Sequence, residues 1–252
     1  MDILITNDDG IHASGLRYLY KAALNDGHNV QVVAPLTEQS AVGHAITLAD
    51  PLRMREIEEP DFKGVAVNST PADCVKFALS VIYKSPPDLV LSGINRGPNI
   101  GPDVKYSGTV AAASEAAANG RPAMALSYNS RQEADLSEYA AWALALAAQI
   151  NWNALPEPRL LNVNLPNLPF KQCKGVRVCR QTSAPWQDTY EQRFDPEGRP
   201  YWWIAGVIPK DEVEPGSDYD LLCQGYITIT PLQFDFTSYK LMPLLAELEK
   251  SF

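Results

Sequence analysis

The first part of the chain alternates between short apolar runs and longer stretches with helical periodicity. Asp2–Thr6 and Val30–Ala34 are apolar runs of strand length, and Ser14–Asp26 between them repeats apolar residues at helical spacing. Gly27 follows as a typical helix-ending glycine, and Pro35 ends the second run. A strand, a helix and a second strand at this spacing predict a right-handed crossover and therefore a parallel sheet.

This alternation continues to about residue 150 and indicates an α/β fold with a mostly parallel sheet. Thr70 is predicted to be an N-cap, because Pro71 and Asp73 follow it at the positions that favour a first helical turn. The segment Ser92–Ser107 is rich in glycine, asparagine and proline and is predicted to be a long loop. The remaining predicted strands are Leu52–Ile57, Gly64–Asn68, Asp88–Leu91 and Ala123–Tyr128, and the remaining predicted helices begin at Thr70 or span Gly108–Asn119 and Asp135–Ile150.

After residue 150 the pattern changes, because predicted strands follow one another with few helices between them. Asn151–Pro158 is predicted to be a connector. We therefore divide the chain into residues 1–150, a core that carries the functional site, and residues 151–252, which add core strands and an extension within one continuous domain. The strands predicted in the second part are Leu160–Leu165, Gly175–Arg180, Trp202–Val207 and Tyr226–Thr230, followed by a helix near Ser238–Glu249.

Trp186, Trp202 and Trp203 lie in a part of the extension that has few core partners of its own. Exposed aromatic surface on a globular protein usually marks an interface. We therefore predict at least a homodimer, to which residues from about Thr182 to Val207 contribute. The alternative is that these tryptophans fill the core of their own chain.

Composition and charge exclude several classes of protein. The 252 residues are 46% hydrophobic and 20% charged, which excludes a disordered or fibrous chain. The net charge of −9 argues against a protein that grips a nucleic-acid polymer. No apolar run approaches the length of a membrane helix, and the N-terminus lacks a basic flank, so we expect a cytoplasmic protein without a membrane partner. The four cysteines and three histidines show no spacing typical of a zinc site.

Two adjacent acids follow the first predicted strand directly, in the sequence Asn7-Asp8-Asp9-Gly10. In open α/β sheets, ligands bind outside the carboxyl ends of the strands, and two neighbouring carboxylates need a counter-charge. Mg²⁺, Mn²⁺ and Ca²⁺ prefer oxygen ligands, so these acids are candidate metal ligands. The alternative is that asparagine, aspartate and glycine only form a turn here.

Further candidates lie after other strands. Asn95 and Asn99 follow Asp88–Leu91 and are expected at the same sheet edge as the two acids. Ser107 and Thr109 flank the start of a helix rich in small residues, where backbone N–H groups bind anions. The alternatives are a flexible surface loop and an ordinary serine N-cap.

Together these motifs resemble the SurE family of metal-dependent nucleotidases and phosphatases. The resemblance spans most of the chain and implies a Rossmann-like α/β core with a C-terminal strand-and-helix extension that assembles dimers or tetramers. The matching segments are NDDG with IHASG, APLTEQSAVGHAITL, SGINRGPNIGPDVKYSGTVAAASEAA, LLNVNLP and GYITITPL.

The resemblance also implies the functional residues. Its single divalent cation, expected here to be Mg²⁺ or Mn²⁺ with Ca²⁺ also able to occupy the site, would be held by Asp8, Asp9, Ser40 and Asn95. Its phosphate-binding residues carry over to Asn99, Ser107, Gly108 and Thr109. Many relatives have arginine before the metal-binding serine, where this chain has Gln39.

We therefore predict a 5'-nucleotidase that releases phosphate from nucleoside monophosphates, with 3'-nucleotides and short polyphosphate as further substrates to test. The predicted catalytic residues are Asp8, Asn99 and Ser107, and Asp8 accepts a proton from the attacking water. Direct attack by water is preferred, while a covalent step on an aspartate stays open. Two rival classes are a receiver-like signalling module and a non-catalytic nucleotide-binding protein, and steady turnover would distinguish the enzyme from both.

Overall fold

Strands and helices alternate along residues 1–251, which the structure, a computed structural model, describes. The strands are β1 (Asp2–Thr6), β2 (Asn29–Pro35), β3 (Met54–Glu59), β4 (Phe62–Val67), β5 (Leu89–Arg96), β6 (Ala123–Tyr128), β7 (Leu160–Leu165), β8 (Val176–Val178), β9 (Gln187–Phe194), β10 (Pro200–Val207) and β11 (Ile227–Leu232). The α-helices are α1 (Ser14–Asn25), α2 (Pro71–Phe77), α3 (Gly108–Ala118), α4 (Ser137–Gln149), α5 (Asp218–Cys223) and α6 (Met242–Leu245).

Nine strands form one sheet in the order β3-β4-β2-β1-β5-β6-β7-β11-β8. Strands β2, β4, β5, β6 and β7 each pair with a parallel neighbour, whereas the pairs β3–β4 and β7–β11 are antiparallel. The chain adds β2 on one side of β1 and β5 on the other, so the strand order reverses between β1 and β5. Open α/β sheets bind ligands at such a switch point. The predicted fold class, an α/β protein with a mostly parallel sheet, is confirmed.

Two apolar layers cover the two faces of the sheet. Because successive strand residues point to opposite faces, Ile3 and Ile5 contact one layer and Leu4 contacts the other. Helices α1 and α4 cover the first face, and α2 and α3 cover the second. Helix α3 is nearly all alanine and other small residues, and its first ten residues are buried. Small side chains let this helix lie close to β5, β6 and β7.

Most predicted elements are present with similar limits. The ranges predicted for β1, β6 and β7 match residue for residue. The prediction of one long loop at Ser92–Ser107 was wrong, because β5 continues to Arg96 and Gly101–Lys105 forms a 3-10 helix. Strand β9 was not predicted. The helix predicted near Ser238–Glu249 is only α6 followed by a 3-10 turn at Ala246–Ser251.

Strands β9 and β10 form a separate antiparallel hairpin, which pairs with no other strand among the described residues. Its residues are exposed, apart from one half-buried glycine. By contrast, β7, β11 and β8 continue the main sheet. The division of the chain at residue 150 stays a prediction. No helix within residues 1–251 is long and apolar enough to cross a membrane.

Candidate functional site

The two acids of the predicted metal site lie directly after β1, at the switch point of the sheet. A tight turn holds them, because the side-chain amide of Asn7 donates to the Gly10 carbonyl at 2.9 Å. The backbone N–H of Gln39 donates to the Asp8 carbonyl at 2.7 Å and brings the loop after β2 against this turn. Asp8 is buried, whereas the Asp9 residue is half-buried. The turn interpretation and the site interpretation are therefore compatible.

Helix α3 begins against the Asp8 carboxylate. The hydroxyl of Thr109 donates a hydrogen bond to Asp8 Oδ1. A Cβ atom at Gly108 would lie 2.7 Å from Asp8 Cβ and 3.0 Å from its Oδ2 atom. Only glycine therefore allows the first turn of this helix to lie so close to the carboxylate. The N-terminus of α3, which can bind an anion, therefore lies beside the Asp8 carboxylate.

Burial sets the electrostatics of the acid pair. Burial, together with the smaller effect of the neighbouring Asp9 charge, raises the pKa of Asp8 to about 6 against the opposing effect of the Thr109 hydrogen bond. Burial also raises the pKa of Asp9. Arg96 opposes that shift, because its backbone N–H donates to Asp9 Oδ2 at 3.2 Å and its Nε lies 3.7 Å from Oδ1. A cation would relieve the unfavourable burial of both carboxylates.

Asn95 follows a bulge in β5, at the edge of the sheet where the two acids lie. The register between β5 and β6 shifts between Ser92 and Asn95. Gly93 lies within this bulge at φ +137°, and a Cβ atom there would lie 2.3 Å from the Leu126 carbonyl oxygen. The side-chain Nδ2 of Asn95 donates to the Gly97 carbonyl at 2.8 Å, so its Oδ1 atom is the group left for a ligand.

Asn99 lies deeper, against β6 and β7. Its side-chain Nδ2 donates to the Ser127 hydroxyl oxygen at 2.8 Å, and its backbone N–H donates to Asn164 Oδ1 at 2.8 Å. Ser107 is the N-cap of α3, and its hydroxyl oxygen accepts from the Val110 N–H at 3.1 Å. The N-cap alternative for Ser107 is thus correct as structure, and the hydroxyl proton is still free to donate to an anion.

Ser40, like Asn95, makes no hydrogen bond to the two acids in the part of the chain that the structure describes. It is exposed, and its hydroxyl donates to Glu38 Oε1 at 2.6 Å. The Glu38 charge is near enough to raise the pKa of Asp9. Gln39 points its amide at Thr37, with 3.5 Å between Nε2 and Oγ1. The loop after β2 therefore adjoins the acids, but its serine is turned to its own loop.

The donor set fits a hard divalent cation. Two carboxylates, a serine hydroxyl and an asparagine amide are all oxygen donors, which is the chemistry that Mg²⁺ and Mn²⁺ prefer. The buried Oδ1 atom of Asn7 has no hydrogen-bond partner beside them. Within residues 1–251 no group of three or more histidine, cysteine, aspartate or glutamate residues could hold a metal, so this site would depend on its neutral ligands.

Several residues at this site were not found from the sequence. Arg96 contacts Asp9, Glu38 contacts Ser40, and the polar residues of β6 and β7 contact Asn99. The one available signal was the two asparagines inside LLNVNLP, since a strand buried on both faces is otherwise apolar.

The fold and the site define an α/β protein of the Rossmann-like class with an acid pair at the switch point of its sheet. The family model described as Survival protein SurE matches residues 3–188, and the chain therefore belongs to the SurE family.

Relatives and a solved structure cover nearly the whole chain. A protein of Nitratidesulfovibrio vulgaris (strain DSM 19637 / Miyazaki F), called 5'-nucleotidase SurE, is 54% identical over 99% of this chain and 93% of its own length. One of Desulfovibrio desulfuricans with the same name is 51% identical over 95% of both chains. The crystal structure of the SurE protein from Aquifex aeolicus is 40% identical, with a TM-score of 0.85 over 99% of this chain and all of that one.

Proposed function

We propose that this protein is a metal-dependent 5'-nucleotidase, which releases phosphate from nucleoside monophosphates. The observation that carries the proposal is the contact of the buried Asp8 carboxylate with Gly108 and Thr109 at the start of α3. A phosphate monoester placed there would meet an acid-held cation on one side and helix N–H groups on the other. The relatives named 5'-nucleotidase SurE support the same activity.

In this mechanism the chain binds the phosphoryl group at the start of α3. The first backbone N–H groups of a helix have no partner within it and bind anions. Ser107 and Asn99 add a hydroxyl and a side-chain amide that donate to phosphate oxygens. Gly108 keeps the approach open, because any larger residue would collide with Asp8. These donors stabilise the charge that develops on the transferring group.

The two acids would hold the cation, and one of them would accept a proton. Asp8, Asp9, Ser40 and Asn95 would be the metal ligands, with Mg²⁺ or Mn²⁺ as the cation. When bound, the metal supplies Lewis-acid chemistry and lowers the pKa of water. Burial raises the pKa of the Asp8 carboxyl to about 6, whereas a bound cation would favour the carboxylate, which is the form that accepts a proton. We propose direct attack by water, with Asp8 as the proton acceptor.

A phosphate-release screen tests this function. Purified protein is given the 5'- and 3'-monophosphates of each common nucleoside and a short polyphosphate, with Mg²⁺, with Mn²⁺ and with EDTA. We expect release from the 5'-nucleotides that needs the metal, and the other substrates define the range. No release from any nucleotide with either metal would contradict the proposal and would favour a non-catalytic nucleotide-binding protein.

We also propose that the β9–β10 hairpin joins subunits into a homodimer or homotetramer. In antiparallel pairs, directly opposite residues lie on the same face. Tyr190 lies opposite Ile204, and Phe194 and Trp202 belong to the same face, which also carries Asp188 and Gln192. The four apolar side chains are between 55% and 65% exposed, so they do not fill the core of their own chain.

The opposite face of the hairpin is mixed. It carries Thr189, Glu191 and Arg193 together with the exposed Tyr201, Trp203 and Val207. A two-stranded hairpin is marginally stable alone, and an apolar face of this kind needs a cover. The face with Tyr190, Phe194, Trp202 and Ile204, called here the apolar hairpin face, is therefore the proposed subunit contact. A cytoplasmic location stays a prediction.

A further inference from the structure

Three buried side chains that the proposed mechanism does not use all contact Asn99. Asn164 Oδ1 accepts from the Asn99 backbone N–H at 2.8 Å, and Asn164 Nδ2 donates to the Asn99 carbonyl at 2.9 Å. Asn162 Nδ2 donates to the same carbonyl at 2.8 Å. Ser127 accepts from the Asn99 side chain at 2.8 Å. Asn162, Asn164 and Ser127 are fully buried.

The sheet presents these side chains on one face. Asn162 and Asn164 are alternate residues of β7, and Ser127 of β6 lies opposite Asn164 in the register. This is the face that α3 covers, where the same strands are apolar further back, at Leu160 and Ala123. The lining thus changes from apolar to polar toward the carboxyl ends of the strands, under the phosphate-binding residues.

Stability alone does not account for this arrangement. A buried polar side chain costs free energy unless its hydrogen bonds are made. The Oδ1 atom of Asn162 is buried and has no hydrogen-bond partner within residues 1–251, and the Asn99 carbonyl accepts a second bond from Asn164. An apolar residue at Asn162 would avoid that unpartnered oxygen. Both asparagines instead fix the position of the Asn99 backbone.

We infer that Asn162 and Asn164 are positioning residues, which hold Asn99 in the orientation that binds the transferring phosphate. The inference rests on the proposed function. The chain runs from Asn99 to Ser107, so the position of the Asn99 backbone also affects the segment that leads to this second phosphate-binding residue. The same segment is held two residues further on, where the Gly101 N–H donates to Oδ2 of the buried Asp218 at 2.9 Å.

The test compares three variants with a matched control. Asn162→Ala removes one of two donors to the Asn99 carbonyl, and Asn164→Ala removes a donor and an acceptor; the third variant combines them. The control is Thr228→Val. Thr228 is fully buried, lies opposite Asn164 on β11, and its hydroxyl has no partner. Folding is followed by thermal unfolding, and kcat and KM are measured per folded molecule on a 5'-nucleotide with Mn²⁺.

We expect kcat to fall about 10²-fold in Asn164→Ala, less in Asn162→Ala and most in the double variant, because small misplacements of a positioned group cost this much. The Mn²⁺ concentration for half activation should stay unchanged, because the proposed metal ligands lie on β5 and in the loops after β1 and β2, and Asn162 and Asn164 lie on β7. Thr228→Val should keep its kcat. A kcat in Asn164→Ala within twofold of that in Thr228→Val would overturn the inference, as would an equal loss of kcat and of Mn²⁺ activation.

A second measurement does not depend on turnover. The Asn99 N–H bonds to Asn164, so its hydrogen exchange should rise in Asn164→Ala and not in Thr228→Val. Wild-type protein without any phosphate release would contradict the proposed function, whereas faster exchange would still support the positioning of Asn99. Unchanged exchange in Asn164→Ala would overturn the positioning itself.

Discussion

The acid-pair site and the β9–β10 hairpin depart from the usual distribution of residues in opposite directions. At the site, polar groups are buried: Asp8, Asn99 and Asn164 lie under the surface at the carboxyl ends of the strands. In the hairpin, large apolar side chains such as Tyr190 and Ile204 are exposed. A buried polar group and an exposed apolar patch are the two informative exceptions to the burial rule.

The two exceptions indicate different kinds of partner. At the switch point three buried polar atoms have no hydrogen-bond partner among the described residues 1–251: the hydroxyls of Thr6 and Ser92 and the Oδ1 atom of Asn7. They lie next to two acids whose pKa burial raises. Unpaired polar groups in a small space suit an ion and a charged substrate. The hairpin lacks partners for its apolar side chains, which suits a protein surface. The predictions below change one of the two regions, or the contact that holds a loop of the site, and leave the other region intact.

The largest effect is expected from Asp9→Asn, which removes a charge that holds the cation. Loss of the metal should remove several kcal/mol of transition-state stabilisation, which is about 10³-fold in rate. Asp9 is half-buried in a loop, so the folded structure and the mass of the subunit assembly should not change. Phosphate release with and without EDTA measures the rate, and Asp26→Asn, an exposed acid after α1, is the control.

Two results would contradict a metal-dependent reaction. One is wild-type activity that survives EDTA and exhaustive dialysis. The other is an Asp9→Asn variant that keeps the wild-type dependence on Mn²⁺.

Ser107→Ala should separate catalysis from helix capping. One positioned donor contributes about 10²–10³-fold to a rate, whereas an N-cap contributes about 1 kcal/mol to stability. Thr70→Ala is a matched control, because Thr70 is the N-cap of α2 and accepts from the Asp73 N–H at 3.2 Å. Thr70 also donates to the Ala45 carbonyl at 2.8 Å, so Thr70→Ala should lose at least as much stability in urea as Ser107→Ala, and only Ser107→Ala should lose the rate. Equal rates in the two variants would show that Ser107 is only a cap.

The sequence predicted this fold well where an element is apolar along its length. Strands β1, β6 and β7 are buried almost throughout, so their limits follow from the composition of the run. Strand β9 is exposed on both faces and therefore has no pattern that a core imposes. The acid pair was predicted from its position after a strand. The contacts of Asn99 were not, because the register between β6 and β7 is absent from any local pattern.

The hairpin is tested by placing one charge on each face. Ile204→Glu puts a carboxylate on the apolar hairpin face, and Thr189→Glu puts the same charge on the mixed face. An interface residue of the dominant kind contributes at least about 2 kcal/mol, so Ile204→Glu should weaken assembly by about 30-fold. Light scattering should give a wild-type mass that is a multiple of 27.7 kDa and a lower mass for Ile204→Glu at the same concentration.

The control variant Thr189→Glu should keep the wild-type mass. Both variants should keep the wild-type rate of phosphate release, because the hairpin pairs with no strand of the main sheet. A wild-type mass of 27.7 kDa would remove the proposed assembly, and an unchanged mass in Ile204→Glu would move the interface to another surface.

The smallest effect is a pH-dependent change in stability at Glu115, through which α3 contacts the loop after β2. His44 Nε2 lies 2.9 Å from Glu115 Oε2, and Lys76 Nζ lies 2.9 Å from Oε1. The hydrogen bond with His44, followed by the Lys76 ammonium, lowers the pKa of Glu115 to about 2 against the opposing effect of burial. A lowered acid pKa gives stability that is present above the ordinary value and is lost as the pH falls through about 2.

Glu115→Gln should therefore cost about 1–2 kcal/mol at pH 7, after allowance for the screening of the half-exposed His44 and Lys76. The difference from wild type should shrink between pH 4.5 and about 2, where the native glutamate becomes protonated. Urea unfolding of both proteins across this range measures it. Glu138→Gln is the control, because Glu138 is an exposed partner of Lys171 at 3.5 Å and should contribute almost nothing. A Glu115→Gln penalty that is the same at pH 3 and pH 7 would mean that the carboxylate charge does not stabilise this contact.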